Sequence, residues 1–101
     1  MRVALTRHAA TDVEEAYDSY ARIELNLSTR FTEEVDAAIE RMVMFPRGAP
    51  LVDGFNGLRR ARVRRFPYGI FYQQTPAGDL LVVRVLHSRR HHPRALDSST
   101  P

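Results

Sequence analysis

Five arginines occupy the seven positions Arg59 to Arg65 in the stretch "LRRARVRRFPYGIFYQ", residues 58–73. A second basic cluster, "HSRRHH", runs from His87 to His92. A guanidinium is permanently charged and presents a planar fork of donors to a carboxylate or phosphate, so both clusters point to an acidic or polyanionic partner. The imidazoles add groups able to carry a proton near neutral pH. His87 and His91 also have a spacing that invites metal binding, but Pro93 interrupts the segment and no nearby carboxylate or thiol completes a ligand set. No metal and no cofactor are expected.

The charge is segregated along the chain. Residues 1–54 carry six arginines against ten acids, whereas residues 55–94 carry nine arginines against the single acid Asp79. A net charge of +3 thus conceals an acidic first half and a strongly basic second half. All fifteen basic residues are arginine, which fits a biased genome composition, but such a bias does not produce clustering. With 101 residues and 44% hydrophobic content the chain suffices for one core, expected over residues 1–94, with a fraying polar tail at 95–101. It contains no cysteine, which removes disulfide and thiolate chemistry and suggests a reducing compartment. The N-terminal "MRVALTRHAATDVEEAY" has no apolar signal-like core and no run is long enough to span a membrane, so a cytoplasmic location is expected.

The basic clusters must be placed by the elements around them. Residues 2–6 alternate as a short strand. Thr11 with Glu14 fits a capping box, and Val13, Ala16, Tyr17, Tyr20, Ile23 and Leu27 follow on one helical face, predicting a helix from about Asp12 to about Leu27. Ser28-Thr29 offers a break and a new cap. Phe31, Val35, Ala38, Ile39, Met42 and Phe45 form the next stripe, which Pro46 stops. After the loop "PRGAPLVDGFNG", Leu58–Phe66, Tyr68–Gln74 and Leu80–His87 read as three strands of an antiparallel meander. The order β-α-α-β-β-β gives an α+β fold in which an antiparallel helix hairpin covers one face of a small antiparallel sheet and leaves the other to a partner.

Strand alternation sends Arg60, Arg62 and Arg64 to one face, ~6–7 Å apart, and Ala61 and Val63 to the helices. Arg59 and Arg65 fall on the apolar side or leave it through a bulge. His87, Arg89, Arg90, His91 and His92 should gather at one end of the sheet. Such a row suits anion recognition, and equally suits keeping an exposed strand in solution. Tyr17 and Tyr20 lie on the first helical stripe as core or partner contacts.

The short strand, a helix hairpin ending in "MFPRGAP", then "GLRRARVRRFPYGIFYQ" and "LLVVRVLHSRR", resembles the RelE/ParE superfamily of toxins from type II toxin–antitoxin modules, from Val3 to about Arg90. The resemblance implies an intracellular toxin held inactive by a cognate antitoxin. It also implies operator DNA contact only through that antitoxin, and no membrane partner. RelE-like members cut messenger RNA on the ribosome; ParE-like members inhibit DNA gyrase. For a ribonuclease, Arg60 and Arg62 match the basic residues of the family's second strand and Arg89 matches its arginine after the last strand. Gly69 stands where the hairpin arginine would be, and no tyrosine follows Tyr72, although His87 or His91 offers a substitute acid or base. The incomplete set favours the ParE-like branch, in which Arg60, Arg62, Arg64, Arg84, Arg89, Arg90, Tyr17 and Tyr20 contact antitoxin or gyrase. Under the ribonuclease alternative the catalytic set is Arg60, Arg62, His87 and Arg89. A non-toxic nucleic-acid-binding module is the third reading.

Overall fold

The computed structural model describes residues 1–89; Arg90, His91, His92, Arg94 and the expected tail lie outside the described residues. The elements run β1 (Val3–Leu5), α1 (Arg7–Ile23), α2 (Leu25–Met44), β2 (Arg59–Arg62), β3 (Tyr68–Gln74) and β4 (Leu80–His87). The sheet order is β1-β4-β3-β2. The three C-terminal strands make the expected antiparallel meander, while β1 pairs in parallel with β4, so the four-stranded sheet is mixed rather than wholly antiparallel. No helix among the described residues is long and apolar enough to cross a membrane.

The first helix begins five residues earlier than its capping-box signal suggests. Thr6 ends β1 and caps α1 at once: its Oγ1 accepts the Ala9 N–H at 3.0 Å and donates to the Val83 carbonyl at 2.7 Å. Thr11, Asp12 and Glu14 therefore lie inside α1. The break between helices also differs from the expected Ser28-Thr29. A single extended residue, Glu24, donates its N–H to the Tyr20 carbonyl and accepts the Leu27 N–H. Ser28 stays helical and fully buried because its hydroxyl donates to the Leu25 carbonyl at 2.6 Å, satisfying the group locally.

Both helices pack on one face of the sheet, against Ile70, Tyr72, Leu80, Val82 and Val85. Phe31 is fully buried, and its ring meets Tyr20, Phe66 and Tyr68 at centroid distances of 5.2 to 5.4 Å. Burying such a ring contributes roughly 2–3 kcal/mol. As expected, Val63 and Ala61 turn toward this core.

The opposite face is not open. The loop before β2 folds across it, packing Val52 and Phe55 with Leu58, Phe71 and Val83 into a second small core flanked by Leu81 and Leu86. A bulge makes room for that core. Phe71 pairs with Arg84 but the next residue, Tyr72, pairs with Val82, so Val83 is an extra residue in β4.

A candidate interaction cleft lined by arginine

Strand β2 is four residues long rather than the nine expected, because the chain turns at Val63, whose N–H donates to the Tyr68 carbonyl. Arg65 adopts a left-handed φ of 70° in that turn. Only Arg60 and Arg62 therefore share a strand face; Arg64 belongs to the turn, and the expected row of three is broken. Arg59 sits on the helix side at the strand end, one of the two placements the alternation allows, and donates to the carbonyls of Arg47 and Ala49 at 3.1 and 2.7 Å. Those bonds fix the loop after α2. Tyr72 holds the same loop by donating to the Pro46 carbonyl at 2.9 Å, and burial pushes its hydroxyl above the ordinary tyrosine value.

Between this loop, the second half of α2 and the outer edge of β2 lies a cleft of about 670 Å³. Its floor includes Ala38, Met42 and Ala61, with Phe45 64% exposed at its side. Five arginines line it: Arg41, Arg60, Arg62, Arg64 and Arg65; no acidic residue does. Arg65 makes a 4.0 Å contact with Glu34 on an exposed side chain, which is worth little. No carboxylate among the described residues lies within salt-bridge distance of the other four.

The cleft also presents main-chain groups. The antiparallel register alternates, so Arg59, Ala61 and Val63 bond to β3 while the peptide groups of Arg60 and Arg62 point outward. The Pro50 carbonyl takes the Arg60 N–H at 3.0 Å, and beyond it the Arg62 peptide group has no backbone partner among the described residues. An extended acidic segment would find donors, acceptors, apolar floor and positive charge together.

The remaining expected site residues separate from this cleft. Arg84 is not an exposed contact: its Nε and Nη2 donate to the two carboxylate oxygens of Asp12 at 2.7 and 2.9 Å, and its side chain is only 14% exposed. The cause is the bulge, which frees Arg84 from the sheet face and lets it reach α1. Tyr20 belongs to the aromatic core, and Tyr17 on the outside of α1 is distant in role from the cleft, as it does not line it. His87 packs edge-on to Tyr68 with ring centroids 5.2 Å apart, and its Nδ1 accepts the N–H of the exposed Arg89. Arg41 was not singled out from the sequence, although it stands one turn after Ala37 and one before Phe45, on the margin of the α2 stripe.

Gly69 is part of this arrangement. A Cβ built there would lie 2.5, 2.9 and 3.0 Å from Nε, Cζ and Nη2 of Arg60. The Arg60 guanidinium occupies that space and donates from Nη2 to Ser88 Oγ at 2.9 Å.

A sequence model described as the ParE toxin of type II toxin–antitoxin systems, parDE, matches residues 3–92. The chain belongs to the ParE toxin family. The ParE assignment agrees with a structural likeness to a chain described as "Chromosomal ParDE TA system from P. aeruginosa", with a TM-score of 0.74 at 18% identity. That alignment covers 86% of this chain and 95% of the other, so the ParE-like fold extends over nearly all of both. No curated protein matches the sequence significantly. Within the RelE/ParE superfamily the chain is thus ParE-like, as the incomplete ribonuclease set suggests.

Proposed function

We propose that this ParE family member is a cytoplasmic toxin that stops growth by binding DNA gyrase, and that a cognate antitoxin neutralises it by laying an acidic segment into the arginine cleft. Operator DNA is contacted only through the antitoxin. The observation that carries this reading is the cleft itself: five arginines around an apolar floor, beside the β2 edge at Arg62, with no acidic side chain in the lining. Four charges with no carboxylate within salt-bridge distance among the described residues are costly to hold together unless a partner supplies the counter-charge. Extended acidic peptides that add to a sheet edge do so while seating alternate side chains in pockets.

Binding is favoured over RNA cleavage by the state of the candidate catalytic groups. The cleft lining contains no histidine or carboxylate to move a proton, and its tyrosine, Tyr72, is buried and already donates to Pro46. His87, outside the cleft, has Nδ1 engaged by the Arg89 N–H, and the guanidinium of Arg60 on the cleft margin is tied to Ser88.

The test is induction of the wild type and of an Arg62→Glu/Arg64→Glu variant, read by growth and by supercoiling with purified gyrase. Growth arrest with gyrase inhibition by the wild type, and loss of both in the folded variant, is expected. Ribosome-positioned cuts in messages with gyrase unaffected would replace the reading with the ribonuclease one.

A further inference from the structure

Gly69 lies in close contact with the Arg60 side chain. Gly69 lies in β3 and is buried, with no left-handed φ, so its backbone conformation does not demand glycine. What a Cβ there would meet is the far end of the Arg60 side chain, which would have to move aside. Three consecutive guanidinium atoms lie within 3.0 Å of the Cβ position, so the group rests against Gly69. Arg60 and Gly69 are on the same sheet face, Arg60 pairing with Phe71 and Gly69 with Arg62. The Phe71 ring lies 5.9 Å from Cζ, the outer limit of a cation–π contact. Ser88 supplies the second leg, and its own N–H is anchored to the Pro67 carbonyl at 2.7 Å.

We propose that Gly69 is a positioning residue: together with Ser88 it seats Arg60 as a fixed cation on the outer face of the sheet, ready for a carboxylate of the protein partner. In effect, Arg60 crosses from the neighbouring strand and places a positive charge above the site where an arginine at position 69 would start. A free arginine side chain gives up rotamer freedom when it binds; a seated one has already given it up, so the seat raises affinity without adding a contact. The Ser88 bond uses one of five guanidinium N–H groups, and no carboxylate among the described residues takes another. Phe71 is 1% exposed and offers no surface for a base to stack, so a nucleic acid would be held here through phosphate alone, and the carboxylate is chosen because the proposed antitoxin segment supplies one. The identity of the partner as an acidic protein rests on the proposed toxin function; the seat does not.

The experiment uses the full chain as wild type, Gly69→Ala, Ser88→Ala, Arg60→Ala and the Gly69→Ala/Arg60→Ala double variant. The Arg60 Nε–H resonance is followed by NMR during titration with a synthetic oligoglutamate peptide and, separately, with an oligothymidylate. In the wild type the resonance is expected to be resolved, slow to exchange and shifted saturably by oligoglutamate. Gly69→Ala should leave the fold intact, bring the resonance to free-arginine behaviour, and weaken oligoglutamate by about tenfold, the scale of the rotamer freedom an unseated arginine gives up on binding. Ser88→Ala should do the same to a smaller degree, and the double variant should bind no worse than Arg60→Ala alone. An unchanged Arg60 resonance in Gly69→Ala overturns the seat. A mobile Arg60 with undiminished oligoglutamate binding overturns its role in recognition, as does a wild-type response to oligothymidylate only. Loss of gyrase inhibition plays no part in these readouts, so failure of the toxin reading is seen separately.

Discussion

A buried carboxylate survives only if its oxygens are occupied, and Asp12 illustrates how completely that is done. Oδ2 accepts from Arg84 Nε and from the Val85 N–H at 3.0 Å, and Oδ1 from Arg84 Nη2 at 2.9 Å. The Asp12 hydrogen bonds raise the Arg84 pKa further above a value already beyond the working range. A raised arginine contributes its stability at every pH below its ordinary value, so neutral-range titration will not register Arg84. Removing its partner will: Asp12→Ala strands a largely buried guanidinium and the Val85 N–H, and should cost about 3–5 kcal/mol in urea unfolding. Tyr72 gives the pH-sensitive counterpart. Burial, its largest influence, lifts its pKa above the ordinary 10.0. Stability is therefore full below pH 10 and falls as pH rises from there toward the folded-state value, because the unfolded chain loses that proton first. Tyr72→Phe should remove this part of the alkaline loss, while costing about 1 kcal/mol at neutral pH for the lost bond to Pro46. Unfolding curves at neutral and alkaline pH distinguish the two effects.

Among the elements, the helix hairpin has an unused opportunity at its junction. Glu24 caps the start of α2 with its backbone but makes no side-chain capping bond. Glu24→Ser should stabilise the protein by about 1 kcal/mol, seen as a higher urea midpoint with an unchanged slope. The same junction shows what periodicity conveys and what it omits. The stripes through Ala16 and Tyr20, and through Phe31, Val35 and Met42, locate two helices because the core selects those positions. Their limits were less legible. Thr11 and Glu14 carry a valid capping pattern, yet Thr6 wins because it also bonds the edge of β4, a contact 77 residues away in sequence. For the site, the arginine cluster was legible as a binding surface. Its division was not: Arg59 goes to loop carbonyls, Arg84 to Asp12, Arg60 to a seat over Gly69, and Arg62 and Arg64 to the cleft. Local alternation cannot assign a long side chain that reaches across strands, nor reveal Arg41 as a wall facing β2.

For the molecule as a whole, charge separation along the sequence becomes separation in space, with an acidic-rich helical hairpin and an arginine-rich sheet edge. Association with an acidic partner should accordingly be fast at low salt and slow steeply with ionic strength, with dissociation changing less. Stopped-flow binding of an oligoglutamate-bearing peptide across a salt series checks this; a salt-independent association rate would contradict it. The extra residue in β4 has a wider consequence. Were Val83 absent, the ladder with β3 would run without interruption, because the pairs on either side of it would become continuous. Yet the outer core would lose a member, and Arg84 would drop into the place above Phe71 and leave Asp12 behind. A shorter chain would thus have the more regular sheet and the weaker protein. Variation in length at this strand is therefore expected to be far less tolerated than substitution, since one residue of slack is what allows a single strand to serve two cores and a helix together.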